Sequence, residues 1–338
     1  MDLNTLWFLL IAFLYIGFFI LEGFDFGVGI LLPFLGKNDT ERRVALNTIG
    51  PHWDGNEVWL ITAGGATMAA FPDWYATLFS GFYPAFFLLL LALILRGVAI
   101  EFRSKNAQPQ WRSVWDWGIF SGSLVSALLL GVTFANLAKG LPVDQNMQYT
   151  GNLGTLLNPY ALIGGLTTVA GFVFIGALFI SLKTQAPLSA RAITFARRLW
   201  WPTIILTCLL IAMSFPYTDM LQQAPVRAGV LAFLALLTLL LAGYMLMRQR
   251  VGWAFILSAG YIAMLLALYF GILFPRVIIS NIDPSFSLTI LTASSSPYTL
   301  KVMSIIALIL LPIVLLYQGW TYWIFRKRIS ASPKDLTY

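Results

Sequence analysis

Two acidic residues stand three apart in the apolar, glycine-rich run Glu22-Gly23-Phe24-Asp25-Phe26-Gly27-Val28-Gly29. On a helix that spacing puts both carboxyls on one face, which Gly29 continues. A second acidic pair lies in Pro51-His52-Trp53-Asp54-Gly55-Asn56-Glu57-Val58-Trp59-Leu60. Arg96 interrupts a long apolar run, and Glu101 and Asp116 follow it. Ionisable groups cost several kcal/mol in hydrocarbon unless paired or hydrated, so such residues carry protons or lock helices together. Both readings apply to Glu22 and Asp25. Asp54 and Glu57 have capping-box spacing, with Asp in place of Ser or Thr, so Asp54 is expected to cap a helix. A cap and a proton relay are compatible. Arg96 is expected to pair with at least one of Glu22, Asp25, Asp54 and Glu57.

The remaining chemistry is sparse. His52 is the single histidine and Cys208 the single cysteine. Six-coordinate haem iron takes two axial ligands, so one histidine cannot carry a chain of haems. His52 reads as a polar residue at the membrane interface, and Cys208 as a small buried apolar side chain. No phosphate loop, nucleophile triad or metal-spacing motif is present. No metal or cofactor is expected on this chain, nor an active site complete within it.

The elements that must position these residues are membrane helices. Hydrophobic residues make up 59% of the 338 and charged residues 10%, against about 25% charged in a soluble domain. Nine spans are expected, near residues 6–34, 57–71, 75–101, 114–137, 159–182, 199–221, 226–247, 253–274 and 300–325, since each needs about 20 mostly apolar residues. The first is read as a retained span, because it lacks a basic leader and contains acidic residues. The connections are too short for an extramembrane domain. The net charge of +7 arises from basic residues clustered between spans, which excludes a nucleic-acid surface. Sixteen basic residues, among them Arg42, Arg43, Arg103, Arg112, Arg191, Arg250 and Lys334, fall on one set of connections. Lys139, Arg227, Arg276 and Lys301 fall on the other, and Arg96 completes the 21. That asymmetry implies an N-terminus outside and a C-terminus in the cytoplasm. Asp25, about 27 Å along the first span from Trp7, and Arg96, about 32 Å along the third from Tyr75, then share a depth near the cytoplasmic edge. Glu101 and Asp116 lie at the cytoplasmic boundary and are candidates for proton uptake there. The outer half of the same spans carries almost no acid. A proton-coupled secondary transporter would place its carboxylates at mid-membrane in both halves of the chain; here they are off-centre and confined to the first half. A scaffold without a proton role is the third reading.

Long polar motifs, in order along the chain, carry a resemblance. They are Glu22 to Gly29; Asn38-Asp39-Thr40-Glu41-Arg42-Arg43; Pro51 to Leu60 with Ile61-Thr62-Ala63-Gly64-Gly65-Ala66; Phe102-Arg103-Ser104-Lys105; Trp115-Asp116-Trp117-Gly118; Tyr149-Thr150-Gly151-Asn152 with Leu157-Asn158-Pro159; and Ser287-Leu288-Thr289, Ala293-Ser294-Ser295-Ser296 and Thr299-Leu300. Over nearly its whole length the sequence resembles subunit II of the cytochrome bd quinol oxidases. The resemblance implies an all-α polytopic membrane protein of two four-helix bundles plus one helix, in a bacterial cytoplasmic membrane. It implies a complex that oxidises quinol and reduces O2 to water, with haem b and haem d in the partner subunit I and none on this chain. Subunit II would stabilise haem insertion and line a cytoplasmic proton route, with the family's proton-path carboxylates falling on Asp25 and Asp54. Whether a small single-span third subunit joins the complex is left open.

Overall fold

The computed structural model describes residues 2–330 and Leu336; Lys334 lies outside the described residues. The helices are α1 (Leu3–Leu35), α2 (Asp39–Ile49), α3 (Trp53–Ala70), α4 (Pro72–Gly81), α5 (Tyr83–Phe102), α6 (Pro109–Lys139), α7 (Leu153–Leu156), α8 (Pro159–Lys183), α9 (Leu188–Tyr217), α10 (Met220–Gln223), α11 (Pro225–Met247), α12 (Val251–Leu273) and α13 (Pro297–Ile324). The α12–α13 connection forms a two-stranded antiparallel ribbon, β1 (Arg276–Ile278) with β2 (Leu288–Thr289). Among the described residues eight helices, α1, α5, α6, α8, α9, α11, α12 and α13, are long and apolar enough to cross a membrane. Helices satisfy every backbone group internally, which is why hydrocarbon tolerates them.

α1 is central, packed against α3, α6, α8 and α12. α1, α3, α5 and α6 form one group of helices, and α8, α9, α11 and α12 a second. α13 stands at the edge; Leu300 is its one buried residue. Its N-terminal end is tied by the Trp7 indole, which donates to the Leu300 carbonyl at 3.1 Å and to Ser304 Oγ at 3.0 Å. α1 and α8 cross at Gly27 and Gly176. A methyl group on Gly27 would overlap the Phe172 carbonyl, and one on Gly176 would lie 2.5 Å from the Gly27 carbonyl carbon. Aromatic rings fill the seam above, with Phe19 5.2 Å from Phe134 and 5.5 Å from Phe172.

Several expectations need adjustment. The single run expected at 75–101 is two helices, α4 and α5, because Pro72 and Pro84 each sit in a first helical turn, where proline starts a helix but cannot continue one. α3 runs for 18 residues and carries Asp54, Asn56 and Glu57 in its first two turns, so it is not among the eight apolar helices. Asp54 is not its cap: the N-cap is His52, with no side-chain capping bond, and Asp54 is already helical, its carboxyl taking the Gly55 N–H at 2.7 Å. The capping-box spacing places the helix start two residues too late. Cys208 is exposed, on the outward side of α9, and His52 is buried.

Candidate functional site

The C-terminal half of α1 carries Glu22 and Asp25, both fully buried. α3 brings Asn56 and Glu57 alongside, and α5 brings Arg96. The Arg96 guanidinium is shared: Nη1 lies 2.5 Å from Glu22 Oε1 and 2.6 Å from Glu57 Oε1. Its flat face covers the Phe26 ring at 4.8 Å, and Nε and Nη2 have no hydrogen-bond partner among the described residues. Arg96 and Glu22 are fully shielded, whereas the Glu57 side chain keeps 24% of its surface. It opens on a cavity of about 510 Å3 between α3, α5 and α6, whose far wall includes Trp74 and Phe86.

Asp25 does not touch Arg96 directly. The Asn56 amide donates to Asp25 Oδ2 at 2.6 Å. Asn56 Oδ1 in turn accepts from Gln318 Nε2 at 2.9 Å and from the Tyr322 hydroxyl at 3.0 Å, both on α13. Sequence reasoning missed Asn56, Gln318 and Tyr322. The signal was Gln318 and Tyr322 four apart in a long apolar run, hence on one face. With every carboxyl ionised, Glu22, Asp25 and Glu57 outnumber the Arg96 charge by two. An uncompensated excess of that size in low dielectric is costly, so the cluster reaches neutrality by binding protons. Such a group of carboxyls around one fixed cation can accept and release protons.

The other candidates lie outside this cluster. Asp54 is exposed, two residues before Asn56 and so on a different face of α3. Glu101 is exposed on the last turn of α5 and has no ion pair among the described residues. Asp116 is buried, clamped by Arg103 Nε at 2.5 Å and Arg42 Nη1 at 2.7 Å. Arg103 also reaches Asp39 at 2.9 Å, and Arg112 pairs with Asp39 at 2.5 Å. In the sequence these arginines are only loop charge; their pairing is made by α2 folding back over α5 and α6. Glu41 on α2 pairs with Arg191 of α9 at 2.5 Å, tying the two helix groups together. Burial opposes ionisation of Glu41, but the Lys37 N–H and the Arg191 guanidinium outweigh it and hold the carboxyl below its ordinary value. The His52 ring stacks on Tyr322 at 4.3 Å and meets Phe325 edge-on at 5.7 Å. Nearby, Lys183 donates to the Phe325 carbonyl. Among the described residues no group of three or more His, Cys, Asp or Glu side chains is arranged to hold a metal ion.

The family model for cytochrome bd terminal oxidase subunit II matches residues 3–325. Cytochrome bd ubiquinol oxidase subunit 2 of Bacillus subtilis is 44% identical over 337 residues, covering 100% of this chain and 99% of that protein. Cytochrome bd-I ubiquinol oxidase subunit 2 of Escherichia coli K12 is 38% identical over 372 aligned positions, covering 98% and 96%. A chain of the bd oxidase from Geobacillus thermodenitrificans superposes with a TM-score of 0.74 over 97% of this chain and 100% of its own, at 20% identity, a likeness of fold.

Proposed function

Because the chain belongs to the cytochrome bd terminal oxidase subunit II family, and is thus a multi-span subunit of a bacterial respiratory oxidoreductase, we propose that it supplies the oxidase with a proton-uptake path. The complex oxidises quinol and reduces O2, a reaction that consumes protons. The haems reside in subunit I, and this chain binds none, supports haem insertion there and carries protons toward the oxygen site. The N-terminus faces outside and the C-terminus the cytoplasm.

The observation that carries this reading is the buried set Glu22, Asp25, Glu57 and Arg96, an excess of acid over base within the membrane helices. It lies toward the end of α1 that leads into α2 and the arginine-rich surface of Arg42, Arg103 and Arg112, which the basic-residue asymmetry assigns to the cytoplasm. Asp25 and Asp54 carry protons from that side toward the partner. The haem-free reading draws support from His52: Tyr322 covers one face of its ring, and His52 lines neither the cavity beside Glu57 nor the one between α3 and α13.

Asp54→Asn in the whole oxidase tests the path, because Asp54 is exposed, caps nothing and belongs to no ion pair among the described residues. Haem content is measured first, then quinol oxidase turnover, then proton uptake in liposomes. The expected result is unchanged haem content with turnover lowered at least about tenfold, in line with the loss of a positioned proton carrier. Unchanged turnover and uptake would reduce the chain to a scaffold.

A further inference from the structure

Hydrogen-bond polarity around Asn56 constrains Asp25 more tightly than the cluster's charge does. A primary amide has one accepting oxygen and one donating nitrogen, and the two cannot exchange roles without a half-turn of the group. The Tyr322 hydroxyl and Gln318 Nε2 both donate to Asn56 Oδ1. The nitrogen is therefore turned toward α1, where it donates to Asp25 Oδ2 at 2.6 Å and approaches the Leu21 carbonyl at 3.4 Å. An oxygen that accepts a strong N–H bond is a poor place for a proton, since a hydroxyl there would point its hydrogen at the amide hydrogens. Asp25 Oδ1 is buried and has no partner. Glu22, one turn back on the same face of α1, has Arg96 Nη1 2.5 Å from its Oε1 and no donor at its Oε2.

We propose that Asn56, Gln318 and Tyr322 are positioning residues that hold Asp25 Oδ2 as a permanent acceptor, so that protons are taken up and released at Asp25 Oδ1, on the Glu22 side. The inference rests on the reading of Asp25 as a proton carrier. It gives α13 a specific task. That helix is almost wholly peripheral, yet two of its polar side chains reach inward to fix the polarity of an amide on α3. The ionisable groups around Asp25 are Glu22 on α1, Glu57 on α3, Arg96 on α5 and Tyr322 on α13; Gln318 and Asn56 carry no charge. Without the two α13 donors the Asn56 amide is free to turn. It then accepts from a protonated Oδ2 as readily as it donates to an ionised one, and the protonated form gains a hydrogen bond that the native arrangement denies it.

The test uses the assembled oxidase with Gln318→Leu and Tyr322→Phe combined, and Asp25→Asn alone as a separate arm. The readouts are haem content, the pH profile of quinol oxidase turnover, and the infrared carbonyl band of protonated carboxyl groups. With haem content retained, the double variant should move the alkaline limb of the profile upward by about one pH unit, the equivalent of one hydrogen bond. The carbonyl band should shift its position and persist to higher pH. Tyr322→Phe alone, which removes one hydroxyl and keeps the ring stacked on His52, should give a smaller shift in the same direction; it decides the matter if the double variant does not assemble. An unchanged pH profile and carbonyl band, in enzyme that Asp25→Asn inactivates, would overturn this inference and leave the proton path standing. Full turnover in Asp25→Asn would overturn both.

Discussion

Replacing Arg96 by leucine should cost the complex a large part of its stability, and the structure sets the amount. Arg96 Nη1 lies 2.5 Å from Glu22 and 2.6 Å from Glu57, with Arg96 and Glu22 fully shielded. Removing one partner of a buried ion pair costs about 3–5 kcal/mol, because the other charge is left uncompensated. Loss of the guanidinium from the face of Phe26 adds about 1–2 kcal/mol. Glu57, only partly shielded, recovers some hydration from its cavity, so the total should be about 4–6 kcal/mol at pH 7.5. Removing Glu22's charge as well, in Arg96→Leu with Glu22→Gln, should return at least about 2 kcal/mol of that, since the costliest orphan is gone. Lower pH should help the single variant, because protons then supply the neutrality that Arg96 supplied. The assay is retention of native haem spectra by purified oxidase across a denaturant series at pH 6, 7 and 8. If the double variant is no more stable than Arg96→Leu, or if the single variant loses less than about 1 kcal/mol, the guanidinium is not what makes these carboxylates tolerable.

Three further outcomes are expected. The Glu41–Arg191 tie should weaken in acid. A carboxyl held below its ordinary value of 4.5 in the folded state stabilises fully above that value and loses its contribution as pH falls through the folded-state value. Wild type and Glu41→Gln should thus differ in thermal stability at pH 7 and converge as pH falls through the folded-state value; a constant difference would refute the linkage. His52→Ala should leave the reduced-minus-oxidised haem spectrum of the assembled complex intact, and loss of one haem band at normal subunit stoichiometry would make this chain a haem ligand. Reporter fusions after Lys139 and after Arg250 should report opposite sides of the membrane; agreement between them would break the proposed orientation.

What the sequence determined by itself was whatever depends on local composition and spacing. Long apolar runs must become helices in lipid, because no other open backbone satisfies its own hydrogen bonds there. That much is enough to read the membrane class and to expect nine spans, one more than the eight long apolar helices among the described residues. Arg96, stranded in such a run, could be expected to meet a carboxylate, since the alternative is an unpaired charge in hydrocarbon. Glu22 and Asp25 on one face, and glycines beside them, likewise follow from helical geometry, and the tight α1–α8 crossing at Gly27 and Gly176 uses them. Tertiary structure alone decided the rest. Which carboxylates Arg96 meets depends on how α1, α3 and α5 lie against one another. Asp116 read as a surface acid until α2 folded across it and two arginines closed on it. Asn56 looked like part of a motif, and Gln318 and Tyr322 like ordinary polar residues far down the chain, separated from Asn56 by 262 and 266 positions. Hydrogen-bond partners that distant leave no periodic trace in the sequence. They are set by the placement of a peripheral helix, and that placement determines which oxygen of Asp25 lies free of an N–H donor.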